Sequence, residues 1–377
     1  MSTLRVIADQ LVAPVPGGIG RYTEGLLTGL IQTAPRGSEV AAVVSATPPD
    51  ELARVLSRFP QLGPVHQSAL GRRELALAWQ HGFTPLPGTG MIHAPSLLAP
   101  LRRHDRFADP NSQIVVTVHD VVPWTHPETL TPRGVSWHKA MARRAERYAD
   151  AIVVPTHAVA TELAGILDVG DRVRVIGGAV ADGWTLPADA DRRAERLALP
   201  EGFVLSVGTL EPRKGIATLV QAMAGIPEVP LLVVGQDGWG GVDVATLAAE
   251  AGLAEGRVRM LGHIDDGDLA TLYSRASVFV MPSLAEGFGL PIIEAFRFGA
   301  PVVHSDAPAL HEVAGGAGLE VPLAEPEGYA DRLADAIRSV LDDADTADRL
   351  RVLGGDRAGA FSWRDSAEKV WQLHADL

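Results

Sequence analysis

The chain contains no cysteine. Disulfides, thiolate metal sites and cysteine nucleophiles are excluded together. Lysine is almost as scarce, occurring only as Lys139, Lys214 and Lys369. No run approaches the roughly 18 uninterrupted apolar residues of a membrane span. The opening residues, MSTLRVIADQL, lead into a strand pattern without the basic-then-apolar order of a signal peptide, so a cytosolic protein is the expectation. A net charge of −13 argues against a nucleic-acid partner. That charge is unevenly spread: residues 1–150 carry 15 basic and 12 acidic side chains, and the rest carry 18 and 34. The first part is therefore relatively basic, which suits an anionic acceptor or a peripheral membrane contact.

What is present is an ordinary globular composition, 46% hydrophobic and 21% charged over 377 residues, long enough for two domains. Apolar runs at Leu4–Ala8, Val40–Val44, Met91–His93, Ile114–Val118, Ala151–Val154 and Val173–Ile176 read as buried strands, with helical patterns between them. PVPGGIGRY, residues 14–22, reads as a glycine loop, followed by a helix over Thr23–Gln32. The pattern weakens between Val180 and Gly202. A second alternation then starts, with strands at Phe203–Val207, Leu231–Val234, Arg257–Leu261, Ser277–Met281, Pro301–His304 and Gly318–Val321. After Pro326 the chain reads as helical, interrupted at Gly354-Gly355. Such alternation predicts α/β architecture: two doubly wound parallel sheets with a ligand cleft between the carboxyl ends of their strands. The expected domains are 1–185, completed by a C-terminal helix over 361–377, and 186–360.

The chemistry concentrates at Met281–Ala300, MPSLAEGFGLPIIEAFRFGA. A strand ends at Met281, Gly287 and Gly289 make a loop, and Pro291 marks a helix start. A glycine loop entering a helix N-terminus offers free N–H groups and a positive dipole end to a phosphate. Glu286 and Glu294 bracket the loop. Their charge repels phosphate, so hydroxyl groups are the expected partners, and a ligand with both phosphates and hydroxyls is a nucleotide sugar. In VGTLEPRKG, residues 207–215, Arg213 and Lys214 follow a strand end, where two cations could hold a diphosphate and stabilise its departure.

VGTLEPRKG, the LGHI at Leu261–Ile264, PSLAEGFGLPIIEAFRFGAPVV and the HEVAGGAG at His311–Gly318 resemble retaining glycosyltransferases of family 4, the glycogen-synthase-like group. The likeness runs from GGIGRY to the FSW at Phe361–Trp363, and the subgroup is similar to bacterial mannosyltransferases of envelope polysaccharide assembly. It implies the GT-B fold, two Rossmann-like domains facing across a cleft. It also implies that Glu286 contacts the donor sugar, that Gly287, Phe288, Gly289 and Leu290 meet sugar and diphosphate, that Glu294 bonds ribose hydroxyls, and that Lys214 holds the diphosphate. Ile264 joins this donor-binding set through LGHI. Many members carry an arginine where this chain has Thr209, and Arg213 is its substitute here.

PVPGGIGRY lacks the third glycine of a dinucleotide fingerprint, and Glu39 falls before the next strand rather than at its end. Gly17 and Gly18 are instead read as letting the backbone approach the donor diphosphate, as in the resembled family. His119-Asp120 ends a strand, where active-site residues of open sheets lie. A metal pair with His126 lacks a third ligand at helical or hairpin spacing. The resemblance implies that His119 bonds the donor sugar, with Asp120 orienting His119 or meeting the acceptor hydroxyl. The helix 133–148 carries Trp137, Met141, Ala145 and Tyr148 on one side and Lys139, Arg143, Arg144 and Arg147 elsewhere, an amphipathic helix with a basic face.

The expected activity is transfer of a hexose, mannose from GDP-mannose first, to a hydroxyl of a cell-envelope glycolipid or polysaccharide, with retention and without a metal or other cofactor. His119, Asp120, Lys214 and Glu286 are the catalytic candidates. In the front-face course proposed for the family, the leaving phosphate oxygen accepts the acceptor's proton. A UDP-glucose or UDP-N-acetylglucosamine transferase is the runner-up. An NAD-dependent oxidoreductase and a non-catalytic nucleotide-sugar binder are the distant alternatives, and the first lacks its glycine fingerprint.

Overall fold

A computed structural model describes residues 2–14, 17–83, 90–105, 112–236, 238 and 241–377. Two compact units divide the chain: Met1–Trp124, Pro132–Ala179 and Ser362–Leu377 in the first, Thr125–Thr131 and Val180–Phe361 in the second. Among the described residues no helix is long and apolar enough to cross a membrane.

In the first unit the strands are β1 (Ser2–Ile7), β2 (Ser38–Val44), β3 (Val65–Gln67), β4 (Met91–Ala94), β5 (Gln113–Thr117), β6 (Ala151–Val154) and β7 (Val173–Val175). All pair in parallel, in the order β3-β2-β1-β4-β5-β6-β7. The order reverses beside β1, so the loops leaving β1 and β4 diverge and open a binding position at their carboxyl ends. β5 and β6 are buried along their whole length, as unbroken runs such as AIVV require when helices cover both faces.

The second unit repeats the plan with β8 (Val204–Val207), β9 (Leu231–Val234), β10 (Val258–Gly262), β11 (Val278–Met281), β12 (Val302–Ser305) and β13 (Leu319–Val321). Its order is β10-β9-β8-β11-β12-β13, again parallel, with the reversal between β8 and β11. The two sheets match the doubly wound α/β expectation.

Two local expectations are corrected, and one strand had no reading. The stretch read as a glycine loop is already helical from Gly17, and one helix runs Gly17–Gln32; Val15 and Pro16 lie outside the described residues. Glycine inside a helix costs about 1 kcal/mol against alanine, and here packing explains two of them. A Cβ on Gly25 would stand 2.1 Å from Cε2 of Trp363, and one on Gly29 would stand 2.6 Å from the Trp363 carbonyl oxygen. The C-terminal helix Trp363–Asp376 lies in that groove, with Trp371 Nε1 donating to the Leu30 carbonyl at 3.2 Å. Gly354-Gly355 does not interrupt the last helices either. The helix Ala344–Ala358 passes through both, and Gly354 lets it close on Phe296, whose Cδ1 would be 2.5 Å from an added Cβ. Finally, β3 is a three-residue edge strand, too short to leave a periodic signal.

Candidate active site

The reversal between β8 and β11 brings the two motif-bearing loops of the second unit together. After β8, Gly208 adopts φ 159° and a tight turn spans Pro212–Lys214. Gly215 follows at φ 68°, and a Cβ there would stand 2.2 Å from the Pro282 carbonyl oxygen. Only glycine permits that approach, and it ties the end of the β8 loop to the start of the β11 loop. The Leu284 amide donates to the Arg213 carbonyl at 2.7 Å and completes the junction.

Across it, Lys214 Nζ donates to Glu286 Oε1 at 2.5 Å and Arg213 Nη1 to Glu286 Oε2 at 3.2 Å. Arg213 also donates from Nε to Glu211 at 3.0 Å and from Nη1 to the Ala285 carbonyl at 3.0 Å. Burial pushes the Glu286 carboxyl up, but the Lys214 and Arg213 charges and the Lys214 and Ser283 hydrogen bonds outweigh it. Its pKa falls to about 2. The side chain read as facing sugar hydroxyls thus faces the two cations. Thr209 sits exposed beside this cluster.

The loop then runs through buried Gly287, half-buried Phe288 and buried Gly289. Gly289, at φ 94°, is the residue before the helix Leu290–Arg297, with Pro291 in its first turn. That left-handed conformation favours glycine, and a Cβ would also meet Leu310 Cδ2 at 2.5 Å. The helix therefore starts directly after the Lys214–Glu286 cluster, with Leu290 as its first residue. Glu294 is 3% exposed and accepts from the Tyr273 hydroxyl at 2.9 Å. Ile264, just past β10, packs against the core beneath this sheet.

In the first unit, His119 and Asp120 follow β5. His119 Nε2 donates to the Pro95 carbonyl at 2.7 Å, leaving Nδ1 as an acceptor. Burial lowers the His119 pKa, partly offset by the Pro95 carbonyl and the Asp120 charge, so the imidazole is neutral. Asp120 Oδ1 accepts from the Val122 amide at 3.0 Å, and the hydrogen-bond partner of the His119 ring is the Pro95 carbonyl. Gly17, with φ 59°, and Gly18 are exposed, with nothing within 4 Å of where a Cβ would stand. His126 bonds Thr125 Oγ1 at 3.0 Å, and among the described residues no three His, Asp or Glu side chains could share a metal ion.

Two partners escaped sequence reasoning. Tyr273 lies on the buried face of the helix Asp266–Arg275, where an apolar reading absorbs it. Pro95 acts through its carbonyl, which no side-chain pattern reports.

Residues 16–182 match the family model described as Glycosyltransferase Family 4, and residues 187–352 match that of Glycosyl transferases group 1. The chain is a family 4 glycosyltransferase. It is 32% identical over 284 residues to O-antigen chain mannosyltransferase B of Escherichia coli, covering 73% of this chain and 71% of that protein. Sucrose-phosphate synthase from Thermosynechococcus elongatus superposes with a TM-score of 0.75 at 26% identity, over 100% of this chain and 99% of that one. HepE from Anabaena, solved with UDP and glucose, superposes with a TM-score of 0.73 at 20% identity over 100% of both chains. This glycosyltransferase therefore has the GT-B fold and is a hexosyltransferase.

Proposed function

We propose that this glycosyltransferase moves mannose from GDP-mannose to a hydroxyl of a cell-envelope glycolipid or polysaccharide, retaining the α configuration. The observation that carries the reading is the Lys214–Arg213–Glu286 cluster beside the Gly287–Gly289 loop at the β8/β11 reversal. The named relative, a mannosyltransferase at 32% identity, supports mannose as the sugar. In this reading the donor diphosphate displaces Glu286 from Lys214 and Arg213. The two cations, the loop amides and the dipole of the helix Leu290–Arg297 then stabilise the charge that grows on the leaving diphosphate. No metal ion is called for.

Glu286, released, accepts hydrogen bonds from sugar hydroxyls, and Glu294, held by Tyr273, takes the ribose. In the first unit, His119 Nδ1 is proposed as an acceptor for a sugar hydroxyl, and Gly17 and Gly18 as backbone open to a diphosphate. Thr209, Phe288, Leu290 and Ile264 line the donor position. The departing phosphate oxygen takes the acceptor's proton, so no protein base is assigned. Asp120, capped onto Val122, is available to the acceptor hydroxyl through its second oxygen. The helix Pro132–Tyr148 exposes Arg133, Arg143 and Arg147 and is read as a contact for anionic lipid.

Thermal-shift screening against GDP-mannose, GDP, UDP-glucose and UDP tests the donor, because a ligand bound only by the native state raises Tm. Stabilisation by UDP-glucose alone transfers the assignment to a glucosyltransferase. Lys214→Ala and Glu294→Ala each should lower turnover by orders of magnitude in a folded protein; wild-type rates in both would remove the site.

A further inference from the structure

The C-terminal helix reaches His119 through an aromatic relay. Trp363, 4% exposed, lies over Gly25, which has no side chain to keep it out. Its indole meets the Tyr22 ring edge to face, centroids 5.3 Å apart at 76°. Tyr22, 5% exposed, in turn meets the His119 ring at 4.7 Å and 86°. Edge-to-face contacts of this kind fix ring orientation as well as burying area. Among the described residues the imidazole makes one hydrogen bond, from Nε2 to Pro95, and the Tyr22 ring packs edge to face against it.

We propose that Tyr22 and Trp363 are positioning residues: they hold the His119 imidazole in one orientation and shield it from water, so that Nδ1 is presented as a neutral acceptor. The inference rests on the reading of His119 as a donor-sugar partner. It assigns the work to the Tyr22 ring and not to its hydroxyl. That hydroxyl, beside Thr117, is buried without a hydrogen-bond partner of normal geometry among the described residues, and burial pushes its pKa up to about 12. Among the described residues Asp120 favours the charged ring, the Pro95 carbonyl holds Nε2–H, and the Tyr22 ring, backed by Trp363, adds uncharged surface. Removing either ring therefore admits water and raises the His119 pKa towards its ordinary value.

The test is a histidine titration by NMR on the full-length protein without ligand, with His119→Gln used to assign the resonance. Tyr22→Leu and Trp363→Leu should move the His119 midpoint upward, and Tyr22→Phe should restore the wild-type titration. The acid limb of kcat/KM should move upward with it in the two leucine variants. If Tyr22→Leu does not fold, Trp363→Phe, a smaller truncation of the same relay, gives the same reading. An unmoved midpoint in folded variants overturns the proposal. Wild-type turnover in His119→Gln would instead overturn the role of His119 itself, and the two failures are separately visible.

Discussion

Lys214 Nζ stands 2.5 Å from Glu286 Oε1, so the second unit's sole lysine is paired with a carboxylate. In the proposed function a diphosphate competes with that carboxylate. Glu286→Gln should therefore bind GDP more tightly, by roughly tenfold or about 1.4 kcal/mol, while turnover falls by orders of magnitude. Calorimetric titration beside initial rates reads both, and equal or weaker GDP binding would dismiss the competition. Because the folded carboxyl titrates at about 2 instead of 4.5, its stabilising contribution is complete above pH 4.5 and is lost as the pH falls towards 2.

Gly25→Ala sets two effects against each other. Alanine favours the helix Gly17–Gln32 by about 1 kcal/mol. The new Cβ, however, would stand 2.1 Å from the buried Trp363 indole. Overpacking typically costs about 1–3 kcal/mol, so net destabilisation is expected, read as a lower urea midpoint. A stabilised variant would show that the C-terminal helix shifts without cost.

The first unit should weaken in mild acid. His93 Nδ1 and His374 Nε2 are 3.4 Å apart in its interior, and His374 Nδ1 bonds Gln113 Oε1 at 2.9 Å. Burial lowers His93 to about 3; burial, with His93 alongside, lowers His374 well below its ordinary range. The unfolded chain binds protons near 6.5 that the folded chain refuses, so stability rises with pH across that window and falls as the pH drops from 6.5 towards 3. Each histidine contributes at most about 1.4 kcal/mol per pH unit. Tm measured against pH should show this slope, and His374→Asn should flatten it; an equal slope in the variant would count against the pair.

Vesicle sedimentation tests the basic helix. Trp137 Nε1 lies 3.4 Å from the Ala76 carbonyl, which sets the helix Pro132–Tyr148 beside the helix Arg72–His81. That neighbour exposes Leu77 at 57%, and Phe83 follows it at 80%. Arg144 is not part of the solvated face, because it donates to the Leu101 carbonyl and lies over Tyr148. Binding to anionic vesicles at low salt should weaken in Arg143→Glu/Arg147→Glu and in Phe83→Asp. No sedimentation of the wild type at low salt removes the contact.

Much of the site was legible because its chemistry is local. Residues 207–215 and 281–294 each carry a strand end, glycines and charges within a few positions, and the chain's order alone locates them. Glu286 was legible as a candidate site carboxylate, yet its pairing with Lys214 and Arg213 was not. Its pairing with Lys214 spans 72 residues and depends on β8 and β11 lying side by side. The same holds for Tyr273 and Glu294, and for the Pro95 carbonyl under His119.

By itself, the amino-acid order determined the strand–helix alternation, the doubly wound class and the residue types gathered in the candidate loops. These follow from periodicity and side-chain chemistry, which act over a few residues. Tertiary structure alone decided which charges meet, which glycines serve close packing, and which ring faces His119. Those contacts join positions far apart in sequence, and whether they form depends on the register of sheets and helices, which no local pattern encodes.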